Sequence, residues 1–225
     1  MAEKKLLLFT EMLRACGGPD LHLPHCLAHG FPLLGRLPAT GTLPEKSLEE
    51  ALLSRQDLLD QAVVVNAQVL DRVKREMHSD LAVHQGFLDK TEKEIQAGKA
   101  EWVSLDALPA NVVLTLRFPA DEGLKCQGSV SAPKVRAIDD FHASRINEAT
   151  SLPEQLRHDS LDVLIGVAQC MRRHRQGQAR RFLIRKDDVS GAFKTLPLKR
   201  EDLPFAVAVL PESSRDNKAL QICAC

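Results

Sequence analysis

The spacing of the apolar residues changes once along this chain, near Trp102, and that change limits what it can fold into. Upstream, Leu48, Leu52, Leu58, Leu59, Val63, Val64, Val69, Leu70 and Val73 recur at helical spacing. A helix is predicted from about Lys46 to about Met77, with Ser47 and Glu50 at the distance of a capping box. Asn66 interrupts its apolar residues and needs either a buried partner or a turn. A second helix is predicted over about Asp80 to Gly98, with Gly86 as its weak point. Downstream the pattern alternates. Val112–Phe118 is β-branched at several positions and reads as a strand. Asp121–Gly123 and Gly128–Pro133 read as loop, and Lys134–Ile138 as a second short strand. Glu154–Arg173 returns to helical spacing, and Leu203–Leu210 reads as a further strand. The expected fold is therefore α+β: a mainly helical region over 1–105, then 106–225 built on a small antiparallel sheet.

The first 44 residues are shorter pieces. Residues 4–15 fit an amphipathic helix that Gly17, Gly18 and Pro19 stop, and Phe31–Pro44 reads as an extended connector. Between them lie His22, His25, Cys26 and His29, with Cys16 close by. Imidazole and thiolate suit zinc. However, His25 and Cys26 are adjacent and no second spaced pair follows, so zinc is not expected.

Charge separates along the chain. Residues 134–200 hold fourteen Lys/Arg against eight Asp/Glu, although the formal net charge of the whole is zero. A basic half is compatible with a nucleic-acid contact, and the alternative is the solvated faces of helices. With no Tyr and one Trp, a broad aromatic platform for stacking bases is not expected. No run approaches the roughly 18 apolar residues of a membrane span. The cysteines form no dense framework and no secretory leader is evident, so an intracellular location and no membrane partner are expected.

Chemistry concentrates at the ends of two short strands. Phe182–Ile184 is an apolar run bounded by charges, followed by Asp187 and Asp188 and then by Ser190, Gly191, Ala192 and Phe193. A carboxylate ending a buried strand is costly unless it is paired or bound to a cation. The bland alternative makes Asp188 a helix N-cap. About fifty residues earlier, Lys134, Arg136, Asp139, Asp140 and Phe141 follow the other strand, with Asn147 beyond.

In order and content these two clusters resemble the fingers and early palm of reverse transcriptases. The chain carries K-x-R-x-x-x-D-F over Lys134–Phe141 and D-x-x-x-A-F-x-x-L-P over Asp188–Pro197, and the likeness covers about Lys134 to Val209. The resemblance implies a partial fingers–palm fold and RNA-directed DNA synthesis from dNTPs on a template-primer of RNA or DNA. It implies Asp188 as the catalytic carboxylate holding Mg²⁺ or Mn²⁺, with the Val189 carbonyl as a further ligand. Lys134 and Arg136 would bind the incoming triphosphate, and Phe193 would exclude a ribose 2′-hydroxyl. Asp140 would orient or pair rather than bind metal; for Arg136 the alternative is a surface ion pair with Asp139 or Asp140. The second acidic motif of the family, an Asp-Asp pair on a later hairpin, is not among the 225 residues. The chain is accordingly expected to be part of a polymerase, inactive in primer extension by itself. The rival expectation is a non-catalytic module whose basic half binds nucleic acid and whose helical half binds a protein.

Overall fold

A computed structural model describes residues 5–47, 50–75, 80–127, 130–155, 161–174, 196–211 and 217–222. The strand expected at 182–186, together with Asp187, Asp188, Val189 and Phe193, lies outside the described residues. The fold is α+β. Its core is a five-stranded sheet made of β2 (Ala100–Ser104), β3 (Leu114–Gln127), β4 (Val130–Asp140), β6 (Val207–Val209) and β7 (Lys218–Ile222). The spatial order is β2-β7-β6-β3-β4. The sheet is mixed rather than antiparallel, because β6 runs parallel to β3 while the other neighbours are antiparallel. A separate parallel pair joins β1 (Gly35–Arg36) to β5 (Thr150–Ser151).

Two long helices lie on opposite faces of the sheet. Helix α3 (Arg55–Arg75) buries Leu58, Ala62, Val65, Val69 and Val73, one stripe at helical spacing. Val65, Val69 and Val73 meet Leu114, Leu116, Val207, Val209 and Ala219. Helix α4 (Leu81–Gln96) buries Val83 and Phe87 against Ala100, Val135, Ala208, Leu210 and Leu220. Successive strand residues point to opposite faces, so β6 feeds both cores, while β3 gives Leu114 and Leu116 to the α3 side and buries Thr115 and Arg117 on the other.

Local chemistry sets the helix ends. Helix α3 starts about nine residues later than expected. Lys46, Ser47 and Glu50 are not helical, and the capping box is Ser54 with Asp57: the Ser54 N–H donates to Asp57 Oδ2 at 2.7 Å and the Asp57 N–H to Ser54 Oγ at 3.1 Å. Asp80 caps α4 by accepting from the Ala82 and Val83 N–H groups. Gly86 does not interrupt α4. Instead it lets the helix approach the sheet, for a Cβ there would stand 3.2 Å from Val135 Cγ2. Asn66 is satisfied on both sides: its Nδ2 donates to the Val112 carbonyl, and its Oδ1 accepts from the Leu114 N–H, each at 2.8 Å.

Three further expectations need correction. The loop expected at Asp121–Gly123 is a bulge within a long β3–β4 hairpin, where the register shifts between Asp121 and Leu124. Gly123, at φ +84°, absorbs the extra residue and donates its N–H to Asp121 Oδ1. Arg200–Phe205 is a 3₁₀ helix, and the strand begins only at Val207. Helix α5 spans Leu161–His174, and Glu154 lies outside it. Glu154 accepts from the Thr40 and Gly41 N–H groups and from Thr40 Oγ1. The Thr40 N–H foremost holds its carboxyl below the usual range. The N-terminal piece forms α1 (Leu6–Ala15) and α2 (Leu23–His29).

Candidate functional site

Strand β4 is an edge of the sheet and its residues alternate between the faces. Val135 points into the core beneath α4. Lys134 and Arg136, on either side of it, therefore share the opposite face, on which Asp140 meets Arg72 of α3 at 3.3 Å. Neither cation pairs with Asp139 or Asp140 through an ion pair described here. Both reach across the hairpin to Glu122: Lys134 Nζ lies 2.9 Å from its Oε2 and Arg136 Nε 2.5 Å from its Oε1. The hairpin register puts Glu122 there: it follows Asp121, the partner of Val135, and so comes opposite Lys134. The Lys134 side chain is 52% exposed and that of Arg136 63%, whereas Glu122 is 23% exposed. The hydrogen bond from Lys134, reinforced by the charge of Arg136, holds the Glu122 carboxyl below its ordinary range. This is a concave pair of cations gripping the two oxygens of one anion and still open to solvent.

Asp140 serves the turn after the strand. Its Oδ1 accepts from the His142 and Ala143 N–H groups at 3.2 and 3.1 Å, and Oδ2 faces Arg72. Asp139 lies on the other face, 3.6 Å from the Nε of Arg117, a side chain only 1% exposed whose Nη2 donates to Glu94 at 2.5 Å. Asn147 shares a turn with Phe141, donating its N–H to the Phe141 carbonyl. Lys134, Arg136 and Asp140 are thus brought onto one face, and Asp139 is not.

The residues on the far side of the Asp188 segment are described, and they are firmly held. Phe31 donates its N–H to the Pro197 carbonyl at 2.7 Å, and its own carbonyl accepts from the Lys199 N–H at 3.0 Å. Gly30 makes this approach possible, because a Cβ there would stand 2.4 Å from the Leu198 carbonyl group. Its φ of +96° also favours glycine. Asp202, completely buried, accepts from the Leu33 N–H at 2.7 Å and from Arg55. Arg55 also donates to the Glu201 carbonyl and stands 5.1 Å from the centre of the Phe205 ring.

The His25 and His29 rings stack 4.3 Å apart, and burial foremost raises the Cys26 thiol, which disfavours its thiolate. An apolar pocket of about 280 Å³ borders Cys26, Phe31, Leu37, Leu43 and Pro153. Among the described residues no group of three or more His, Cys, Asp or Glu side chains could hold a metal. The carboxylates nearest the candidate motifs, Asp139, Asp140 and Asp202, each face an arginine and do not fit a divalent-cation site. The residues that the resemblance assigns to Mg²⁺ are not among those described. Among the described residues no helix is long and apolar enough to cross a membrane.

Glu122 is not legible from the strand alone, because its reach to Lys134 and Arg136 depends on how the hairpin pairs. The signal was available: an acid beside a glycine, ahead of a strand carrying two cations on one face. No protein-family model matches the chain, and no curated protein or solved structure is significantly similar to it.

Proposed function

We propose that this chain supplies the triphosphate-binding part of a reverse-transcriptase-like nucleotidyltransferase, with dNTPs and an RNA or DNA template-primer as its ligands. The observation that carries the reading is the convergence of exposed Lys134 and Arg136 on two oxygens of a single anionic group. A triphosphate presents the same kind of target, adjacent anionic oxygens. Arg contributes a planar fork and Lys a point charge, which together fix both position and charge. The neighbouring core holds the pair rigid: Val135 is anchored beneath α4, and Asp140 is tied to α3 and to its own turn. In this reading Asp188 would be a carboxylate that holds the Mg²⁺ or Mn²⁺, and Phe193 the sugar gate. The chain's own 225 residues lack the second Asp-Asp motif, so binding is expected here without synthesis.

Calorimetric titration of chain 1–225 with a dNTP tests the reading. Lys134→Ala and Arg136→Ala are each expected to weaken binding about tenfold or more, the usual size of a lost charge-assisted hydrogen bond. Absence of binding by the unaltered chain, or binding by both variants as tight as that of the unaltered chain, would overturn it. A second reading is favoured by α5, which exposes Val163, Leu164, Ile165, Val167 and Met171 just before Arg172 and Arg173. A chain that binds a template-primer but no dNTP would be a binding module of that kind.

A further inference from the structure

We infer that Glu122 is a built-in competitor for the Lys134–Arg136 pair, an internal carboxylate that an incoming polyphosphate must displace. This rests on the proposed triphosphate-binding role of the pair. Three observations lead to it. First, the carboxylate satisfies both cations at once, one oxygen to each, so the charge that would attract an anion is already partly neutralised. Secondly, its position is fixed by the hairpin register. Asp121 pairs with Val135 and Ala120 with Arg136, so the same ladder continued brings Glu122 opposite Lys134 and onto the face of Arg136; the register shifts only before Leu124, where Gly123 supplies the left-handed turn. Asp121, its neighbour, is drawn to the Gly123 N–H instead, so only Glu122 reaches the cations.

Thirdly, the contact is of the displaceable kind. Both cationic side chains are more than half exposed, and ion pairs at such sites are weak because water and salt screen them. A polyphosphate carries several negative charges and more acceptor oxygens than one carboxylate, so it can outcompete Glu122 at the same two heads. The consequence is selectivity by charge: anions of a single negative charge gain little by replacing Glu122, while polyphosphates gain on each oxygen. Displaced Glu122 would also lie beside the ligand as a repelling charge, which raises the threshold further.

Inorganic tripolyphosphate is the probe, titrated calorimetrically into chain 1–225 at neutral pH and low salt. Glu122→Gln is expected to bind it about tenfold more tightly than the unaltered chain, and to narrow its preference over inorganic phosphate. Glu122→Ala, which removes the amide as well, is expected to show the same gain. Adding Arg136→Gln to Glu122→Gln is expected to abolish it. If the Glu122 variants bind no more tightly while Lys134→Ala and Arg136→Ala still weaken binding, Glu122 is no competitor and the phosphate-binding reading stands. If neither the unaltered chain nor the Glu122 variants bind tripolyphosphate, both ideas fall together.

Discussion

Asn66 shows how much one side chain can decide. It sits on α3, yet it behaves as a piece of strand, offering a donor to Val112 and an acceptor to Leu114 at the point where β3 begins. The two backbone groups it satisfies lie beside a buried core, where an unpaired polar group costs about 1–3 kcal/mol. Asn66→Ala is therefore expected to lower stability by about 2–4 kcal/mol, and Asn66→Asp by a similar amount because it keeps the acceptor and loses the donor. Urea unfolding measures both; a change below about 0.5 kcal/mol for either would show the bridge to be incidental. The need for a partner was legible from an amide inside an apolar stripe. The identity of the partner was not, since it depends on which strand the helix packs against. Arg117 was less legible still: nothing local distinguishes it from a surface arginine, and it takes the packing of α4 to bring Glu94 to it and the hairpin register to bring Asp139.

At the scale of elements, helix and strand periods served well where one face is buried and poorly where special backbone intervenes. The stripe of α3 and the start of α4 at Asp80 follow from spacing and capping chemistry. The beginning of α3 did not, because two Ser-x-x-acid patterns stand seven residues apart and both satisfy the rule. The two can be told apart by substitution. Ser54→Ala is expected to destabilise the chain by about 1 kcal/mol, and Ser47→Ala to leave the melting curve unchanged. The reverse order would place the cap at the upstream serine. The hairpin was cut short for a different reason: Pro119, Asp121 and Gly123 are poor strand residues individually, but a bulge accommodates them in the ladder. The run Leu203–Phe205 misled in the opposite sense, as apolar residues wound into a 3₁₀ turn before a three-residue strand.

At the scale of the whole molecule, the boundary expected near residue 105 falls between a helical half and a sheet half, but packing crosses it. Helices α3 and α4 cover the two faces of strands β3, β4, β6 and β7, and β2 joins the same sheet from the other side of the boundary. Leu116 feeds the core under α3 and Phe87 the core under α4. Leu116→Ala is expected to cost about 2–5 kcal/mol and Phe87→Ala about 3–5 kcal/mol. Each is expected to shift one common unfolding transition, seen alike by far-ultraviolet dichroism and by the fluorescence of Trp102. Two separated transitions in either variant would mean that the faces fold independently.

The seating of Gly30, Phe31 and Leu33 on Leu198, Lys199 and Asp202 also has a consequence in time. A ribosome makes the connector first and its partners roughly 170 residues later, which at about 5–20 residues per second is a wait of roughly ten to thirty seconds. Throughout that interval the Phe31 and Leu33 N–H groups lack the acceptors they meet in the fold, Pro197 and Asp202, and the short strand in the middle of the sheet, Val207–Val209, has not been made. Residues 30–33 are therefore among the last to find their partners.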